Sequence, residues 1–293
     1  MTGPARRLLL VHAHPDDETL TTGGTIAHHA AAADTAVTLV TCTLGEQGEV
    51  IPAELAGLAA EQADQLGGYR IAELAGACAA LGLADHRFLG GAGRWRDSGM
   101  ALAGHGVRAA VPQQLHPRAF ARPESFAEQV RALVEVLTEV RPQVVVSYAA
   151  DGGYGHPDHV RAHDITVAAL RATREAGQVP ARFAATVIGR STLDAGLAAL
   201  RGASELPFRL PGPDELPSVP DEMITFRLDV SAYRSARIAA MSAHRTQIAL
   251  WSGRDRFALA MSNRVAQPLL DVEEFMIDDM PQGAVDLFAG LAP

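Results

Sequence analysis

The chain has 293 residues, of which 48% are hydrophobic and 20% are charged, and its formal net charge is −9. These proportions are typical of a globular protein and exclude a disordered or fibrous one. The negative charge argues against nucleic acid as a partner, because that binding depends on lysine and arginine replacing the counterions of the phosphates. With only two cysteines and no apolar run near the roughly 20 residues of a membrane span, we expect a cytoplasmic protein that does not bind membranes.

The first half of the sequence alternates between strand and helix patterns. A continuous apolar run predicts a strand buried on both faces, and alanine-rich stretches with apolar residues at helical spacing predict helices. We predict strands at residues 7–12, 36–44, 86–89 and 144–148, and helices at residues 19–33, 53–81 and 124–140, the second interrupted at Gly67 and Gly68. Residues 91–123 are rich in glycine, arginine and proline and predict a long loop.

This alternation predicts an α/β fold, with a Rossmann-like, mostly parallel sheet and helices on both faces. Ligands of such sheets bind beyond the carboxyl ends of the strands, where the loops 14–18, 44–49 and 149–159 should lie. Beyond about residue 171 the pattern weakens, with a strand-like stretch at 224–230 and a helix-like one at 231–247. We therefore expect an α/β domain over 1–172 and a smaller C-terminal domain over 173–293.

Two polar clusters stand where predicted strands end. The first, at residues 14–18, is His-Pro-Asp-Asp-Glu, and the second, at residues 154–159, is Tyr-Gly-His-Pro-Asp-His. Either cluster alone has a simple explanation, as acidic residues matching a helix dipole or histidines on a solvated helix face. Both clusters at one edge of a sheet instead favour a metal site.

A catalytic zinc site usually has three protein ligands and one position open to water. His14, Asp17 and His159 satisfy that number, although the spacing alone does not separate His156 from His159. Zinc would bring the pKa of a bound water to about 7. Two histidines and one carboxylate also suit Fe(II).

The remaining polar residues of the two clusters supply the other groups that amide hydrolysis needs. Asp16, next to a ligand, is the best candidate for the general base. His156 and Tyr154 are placed to stabilise an oxyanion or to protonate the leaving amine, and Asp158 could orient an imidazole. A fourth protein ligand would close the site to water, so we expect His163 to have a structural role.

The other histidines have no partner in the sequence pattern. We expect His12, inside the first strand, to be packed and hydrogen-bonded. We expect no role in the site for His28, His29, His86, His105 and His116.

The two clusters, extended to residues 13–18 and 155–159, resemble the signature of the N-acetylglucosaminyl-phosphatidylinositol de-N-acetylase-like (LmbE-like) superfamily. Further similar stretches lie at residues 41–46, 65–70, 90–100 and 152–159, so the resemblance runs nearly end to end. It implies zinc bound by His14, Asp17 and His159, Asp16 as the base, and His156 with Tyr154 at the oxyanion or the amine.

Within the superfamily the chain looks like the deacetylases of mycothiol biosynthesis. This implies an enzyme that removes acetate from 1-D-myo-inosityl-2-acetamido-2-deoxy-α-D-glucopyranoside, a small amino-sugar glycoside, with sugar-binding roles for Arg70, Asp97 and Gln247. A mycothiol S-conjugate amidase and an N-acetylglucosaminyl-malate deacetylase of the bacillithiol type remain as alternatives. A non-catalytic nucleotide-binding domain is disfavoured, because carboxylates replace the glycine-rich phosphate loop after the first strand.

Overall fold

The computed structural model describes residues 5–102, 109–178, 181–203, 205–254 and 256–291. The helices are α1 (Asp17–Ala30), α2 (Leu66–Ala80), α3 (Phe126–Val140), α4 (Pro157–Glu175), α5 (Arg190–Arg201) and α6 (Arg234–Ala243). The strands are β1 (Arg6–His12), β2 (Thr35–Thr41), β3 (Asp85–Phe88), β4 (Ala101–Leu102), β5 (Ala109–Ala110), β6 (Val144–Tyr148), β7 (Arg182–Val187), β8 (Phe226–Asp229), β9 (Ala249–Ser252), β10 (Phe257–Ala260), β11 (Gln267–Pro268) and β12 (Val272–Met276). Short 3-10 helices cover Ala53–Leu58, Pro123–Ser125, Asp221–Met223 and Ser231–Tyr233.

A seven-stranded sheet in the order β3-β2-β1-β6-β7-β12-β8 forms the centre of the described part of the chain. Strands β3, β2, β1, β6 and β7 pair in parallel, whereas β12 pairs antiparallel with both β7 and β8. This arrangement confirms the predicted Rossmann-like, mostly parallel sheet. Strand β1 lies between β2 and β6, so its carboxyl end is at the switch point where ligands of such sheets bind.

The core lies on both faces of the sheet. Leu8 and Leu10 of β1 pack with α1, α2 and α6 on one face, and Leu9 and Val11 pack with α3 and α4 on the other. All four side chains are fully buried, and each contributes about 1.5–3 kcal/mol through burial. Because β1 is covered on both faces, its sequence is a continuous apolar run and not an alternating one.

The predicted helix over residues 53–81 is wrong in its first half. A 3-10 helix covers Ala53–Leu58, and α2 begins only at Leu66. Between them Asp64 has a φ of 53°, a left-handed conformation that no helix continues through. Gly67, predicted to interrupt the helix, lies in the first turn of α2, where a Cβ would come within 2.6 Å of Glu46 Cγ. The absence of a side chain at Gly67 therefore lets the first turn of α2 lie close to Glu46.

The C-terminal part of the chain contributes strands to the central sheet. The predicted strand at 224–230 is β8, and the predicted helix at 231–247 is a 3-10 turn followed by α6. Strands β7, β8 and β12 pair within the main sheet, while β9, β10 and β11 form a small separate sheet. The boundary expected at residue 172 falls inside α4, and the division into two domains stays a prediction.

The segment 91–123 is irregular where it is described, apart from the two-residue strands β4 and β5. Its backbone is tied down by an isolated bridge between Arg96 and Ala119. Among the described helices, none has both the length and the apolar character needed to cross a membrane.

Candidate active site

The turn between β1 and α1 carries a strained aspartate. Asp16 has a φ of 105°, a conformation that an L-residue adopts at a cost of about 1–3 kcal/mol. Thr19 N and Leu20 N donate to Asp16 O at 3.0 and 2.9 Å. Asp16 N donates to Glu18 Oε2 at 2.9 Å. The backbone of Asp16 is thus held on both sides by the first turn of α1.

Asp17 lies between the two loops at the edge of the sheet. Its Oδ2 accepts hydrogen bonds from Tyr148 Oη at 2.7 Å and from His14 N at 2.9 Å. The same oxygen is 3.2 Å from His14 Nδ1 and 3.3 Å from His159 Nε2. Burial alone would raise the pKa of Asp17, but the charge of His159 and the hydrogen bond from His14 hold it well below its ordinary value. Asp17 is therefore a carboxylate at any physiological pH.

The first turn of α4, which follows the loop after β6, presents His159 to this carboxylate. His159 Nδ1 is 3.2 Å from Gly152 O, which directs Nε2 towards Asp17, and Tyr148 stacks on the imidazole with centroids 4.2 Å apart. Gly152 has a φ of 66°, and a Cβ there would lie 2.8 Å from His159 Cβ. Nε2 of His159 is buried and makes no hydrogen bond. In the neutral ring the proton is on Nδ1, which faces Gly152 O, and the lone pair is on Nε2, where it is suited to a metal.

His14 lies among buried carboxylates. In addition to Asp17, its Nε2 is 3.3 Å from Asp158 Oδ2 and 3.6 Å from Asp97 Oδ1. Burial would lower the pKa of His14, but these three carboxylates raise it well above its ordinary value. Buried carboxylates at this density need positive charge nearby, and a bound cation would supply it.

The structure brings the three predicted ligands together, and His156 lies with them. Two groups in the described part of the chain have donor atoms all within 4.8 Å of one another: His14, His156 and His159, and His14, Asp97 and Asp158. Imidazole nitrogens and carboxylate oxygens are donors that suit zinc and Fe(II). The residues present therefore fit a divalent metal. Asp17 belongs to neither group, and one of them contains His156 with His14 and His159, but Asp17 Oδ2 lies 3.2 Å from His14 Nδ1 and 3.3 Å from His159 Nε2.

The Asp16 carboxylate points towards Arg70 of α2. Asp16 Oδ2 is 2.9 Å from Arg70 Nη2, and the guanidinium also donates to Gly45 O at 2.9 Å and to Pro15 O. Burial raises the pKa of Asp16, Arg70 opposes this and Asp17 adds to it, with the result that the pKa is about 6. Asp16 and Asp17 are neighbours in sequence, yet their environments shift their pKa values in opposite directions.

Of the predicted sugar-binding residues, Asp97 lies on the His14 side of the site. Its Oδ1 accepts from Gly99 N at 2.8 Å and its Oδ2 from Gln47 N at 3.2 Å. Burial would raise the pKa of Asp97, but the charge and hydrogen bond of His14 hold it well below the ordinary value. Both oxygens therefore already have partners in the backbone.

The side chains of Arg70 and Gln247 both lie next to Gly48. A Cβ on Gly48 would lie 2.5 Å from Gln247 Oε1 and 3.0 Å from Arg70 Nη1. Gln247 Nε2 donates to Glu49 O at 3.2 Å and to Thr246 Oγ1 at 3.1 Å. Residues from α2 and from the loop after α6 are thus brought to the same side of Asp16.

Tyr154 lies beside His159, and His156 lies between His14 and His159, with ring centroids 4.6 and 5.0 Å from theirs. The Tyr154 ring is 5.1 Å from that of His159 and 6.0 Å from that of His156. His156 Nδ1 accepts from Asp158 N at 3.1 Å, so in the neutral ring the proton is on Nε2. Burial and the charges of His14 and His159 lower the pKa of His156 to about 2, and burial raises the pKa of Tyr154. Both side chains are therefore neutral hydrogen-bond donors.

The GlcNAc-PI de-N-acetylase (PIG-L) family model matches residues 9–170, which include both loops of the site. The chain belongs to this family. The membership predicted from the two sequence clusters is confirmed. A relative from Saccharopolyspora erythraea, named 1D-myo-inositol 2-acetamido-2-deoxy-alpha-D-glucopyranoside deacetylase 1, is 55% identical over 99% of this chain and 96% of its own length. A second deacetylase with that substrate in its name, from Actinosynnema mirum, is 53% identical over 99% of both chains.

Solved structures share the fold of this de-N-acetylase family member at low identity. A deacetylase in complex with teicoplanin is 19% identical, with a TM-score of 0.53 over 93% of this chain and 99% of that one. The 4-carboxy-2-hydroxymuconate hydratase GalB from Pseudomonas putida KT2440 is 16% identical, with a TM-score of 0.54 over 96% of this chain and 99% of that one. Because a hydratase has the same fold, the fold alone does not identify the reaction.

Sequence reasoning missed several buried residues that hold the family's site together. Tyr148 was recognised only as the end of a strand, yet its hydroxyl bonds Asp17 and also accepts from Ala13 N at 2.8 Å. His244 lies three residues before Gln247, and the sequence pattern gave no reason to assign it a role. The signal that could have found Tyr148 is its position at the carboxyl end of the strand beside β1.

Of the histidines outside the two clusters, His12 is packed and hydrogen-bonded as predicted. His12 is fully buried, with Nε2 2.9 Å from Thr22 Oγ1, and His163 Nδ1 is 2.9 Å from Tyr148 O, which fits a structural role. His86 Nε2 is 3.1 Å from Thr41 Oγ1. His105 lies outside the described residues.

Two cavities lie away from the site. One, of about 410 Å³, is lined by α5 together with parts of β10, β11 and β12, and the other, of about 340 Å³, lies between α5 and residues 211–216. Neither is lined by a residue of the two clusters. The carboxyl edge of the sheet, where polar groups converge, is the better candidate for chemistry.

Proposed function

We propose that this chain is a metal-dependent deacetylase that hydrolyses the N-acetyl group of 1D-myo-inositol 2-acetamido-2-deoxy-α-D-glucopyranoside. The products would be acetate and the free amine of an intermediate in mycothiol biosynthesis. The observation that carries the proposal is the 53–55% identity, over nearly the whole chain, to relatives named for that reaction. The site supports it independently, because its groups are those that amide hydrolysis requires.

We propose that the metal is zinc, with Fe(II) as the other metal that suits these donors, and that His14, Asp17 and His159 hold it. Asp17 is favoured over His156 as the third ligand because a single Asp17 oxygen is 3.2–3.3 Å from nitrogens of both histidines. The metal would polarise the acetamide carbonyl and acidify a water molecule. Asp158, through His14 Nε2, would orient that imidazole.

Asp16 is the base in this proposal. With a pKa of about 6, its carboxylate is ionised at neutral pH and basic enough to take the proton of the attacking water. Arg70 fixes the orientation of that carboxylate through the 2.9 Å contact. Asp17, whose pKa is held well below the ordinary value, is too weak a base for this task and suits a ligand.

His156 and Tyr154 would receive the negative charge that develops on the carbonyl oxygen. His156 carries its proton on Nε2, since Nδ1 accepts from Asp158 N, and a neutral donor aimed at an oxyanion is a strong source of catalysis. The Tyr154 hydroxyl, protonated at neutral pH, is the second donor to the oxyanion. The proton that Asp16 takes from the water would pass to the departing amine, which returns Asp16 to its carboxylate form.

The sugar and its inositol would be bound by Arg70, Asp97 and Gln247. The convergence of Arg70 and Gln247 at Gly48 supports this, because a polyol needs several polar partners on one side of the acetamide. Gln247 comes from the segment 173–293, which we propose as a smaller unit that completes the substrate site. We also propose a cytoplasmic location, which suits the two free cysteines.

A comparison of three substrates tests the proposal. The zinc-loaded protein would be assayed for release of primary amine from the N-acetylglucosaminyl-inositol, from N-acetylglucosaminyl-malate and from a mycothiol S-conjugate. We expect the inositol compound to have the highest kcat/KM and its turnover to stop when a chelator removes the metal. Preference for the malate compound or the conjugate would reassign the substrate, and no release from any of the three would contradict the proposed function.

A further inference from the structure

A buried ion pair lies directly behind the base. Glu18, in the first turn of α1, and His244, which follows α6, are both fully buried, and His244 Nε2 is 2.7 Å from Glu18 Oε1. The two residues are 226 positions apart in sequence. A carboxylate that is fully buried must be compensated by a partner of this kind.

The two oxygens of Glu18 have different partners. Oε1 accepts hydrogen bonds from His244 Nε2 and from the hydroxyl of Thr19, whereas Oε2 accepts one from the backbone N–H of Asp16. The His244 imidazole and the Thr19 hydroxyl together fix the rotation of the Glu18 carboxylate, and that rotation determines whether Oε2 can hold the Asp16 amide.

The Asp16 backbone needs such support because its φ of 105° is unfavourable for a side chain other than glycine. A strained residue keeps its conformation only when its surroundings over-determine it. Arg70 holds the Asp16 carboxylate, and Glu18 holds the Asp16 amide. Loss of either contact would let the residue relax and turn its carboxylate away from the site.

We propose that His244 is a positioning residue that acts through Glu18 to keep Asp16 in its strained, productive conformation. It does not touch the substrate, the metal or the reacting atoms. The inference rests on the proposed function only in the role given to Asp16.

The rest of the loop that begins with His244 is held from the other side. Thr246 N and Thr246 Oγ1 donate to the two oxygens of Glu73 at 2.9 and 2.7 Å, and Glu73 is on α2, one turn beyond Arg70. Gln247 is held by Thr246, by Glu49 O and by its own N–H, which donates to the backbone carbonyl of His244, and none of these contacts uses the His244 side chain. Substitution of His244 should therefore affect the orientation of Asp16 more than the binding of the sugar.

The test compares three variants with the unmodified zinc-loaded protein. His244→Leu removes the partner of Glu18, His244→Gln keeps an N–H donor at a similar reach, and His29→Leu makes the same change at a buried histidine at the far end of α1. Two quantities are measured: kcat and KM on whichever acetamido sugar the unmodified protein cleaves, and backbone hydrogen exchange in residues 13–20 and 144–148.

We expect His244→Leu to lower kcat about 100-fold, as a misplacement of roughly 1 Å does, with KM changed by less than about twofold. Exchange should accelerate in residues 13–20 and stay unchanged in β6. His244→Gln should recover most of kcat, and His29→Leu should behave as the unmodified protein. If His244→Leu does not fold, His244→Asn, which is too short to reach Glu18, takes its place with the same expectations.

Unchanged kcat in a folded His244→Leu protein would overturn the inference, as would exchange in residues 13–20 that does not respond, or exchange that accelerates equally throughout. Failure of His244→Gln to improve on His244→Leu would contradict it too. If the unmodified protein cleaves no acetamido sugar, the proposed function fails, and the exchange measurement still decides whether His244 holds the Asp16 turn.

Discussion

Two adjacent aspartates acquire different chemistry from their surroundings. Asp17 is contacted by two imidazoles and a phenol hydroxyl, all of which favour its ionised form. Asp16 is buried beside Asp17, with Arg70 as its one cationic contact within 4.0 Å in the described part of the chain. Identical side chains thus become one carboxylate of low pKa, the proposed ligand, and one with a pKa of about 6, the proposed base.

The assignment of Asp16 is tested by Asp16→Asn. The amide has nearly the same shape but cannot take a proton, so we expect kcat to fall by about two to four orders of magnitude. Metal content, measured by elemental analysis after dialysis, should stay at the level of the unmodified protein. A variant that loses its metal would mean that Asp16 is a ligand.

Tyr148 offers a second test at the scale of single residues. Tyr148→Phe keeps the ring stacked on His159 but removes the hydroxyl that bonds Asp17. We expect zinc affinity, measured by competition with a chromophoric chelator, to weaken about 10- to 100-fold, as is usual when a partner of a metal ligand is lost. Tyr233→Phe, outside the site, is the matched control and should bind zinc normally. Equal affinity in both variants would argue against Asp17 as a ligand.

At the scale of elements, the conformation of the loops around the site depends on glycines at positions where a side chain would clash with a neighbouring group. Gly45, after β2, has a φ of 65°, and a Cβ there would lie 2.0 Å from Arg70 Nη1. The guanidinium can hold Asp16 only because this position has no side chain.

Gly45→Ala should therefore displace Arg70 and lower kcat/KM at least about tenfold, since the base loses its orienting contact. Gly68→Ala is the control, because its Cβ would meet no atom within 4 Å and alanine is the better helix former. Steady-state kinetics and thermal unfolding of both variants provide the measurement. Full activity in Gly45→Ala would show that Arg70 does not orient the base.

Strands buried on both faces were predictable from sequence, and the irregular segments between them were not. The sequence of β1 is a continuous apolar run because both faces of the strand are covered, and such a run can be recognised from neighbouring residues alone. The break between Ala53–Leu58 and α2 depends on the φ of Asp64, which no periodicity reveals. The positions of the two polar clusters followed from the strand ends, whereas the pairing of Glu18 with His244 spans 226 residues and could only come from the fold.

At the scale of the whole molecule, the site is assembled from both halves of the chain. The loop after β1 and the first turns of α1 and α4 supply the proposed ligands and base, α2 supplies Arg70, and the loop after α6 supplies His244 and Gln247. Strands β7, β12 and β8 continue the sheet beyond β6, which places α6 against α1 and α2 on one face. The conformation of the Asp16 turn consequently depends on contacts made by residues more than 200 positions away.

The most direct test of this account is a metal titration of the metal-free protein, followed by deacetylation of the N-acetylglucosaminyl-inositol substrate. We predict no activity without metal, a rise that saturates at about one zinc per chain, and unfolding at a higher temperature in the metal-bound form, because a ligand that binds only the folded state stabilises it. Activity that survives metal removal, or saturation with zinc that produces no free amine, would contradict the account.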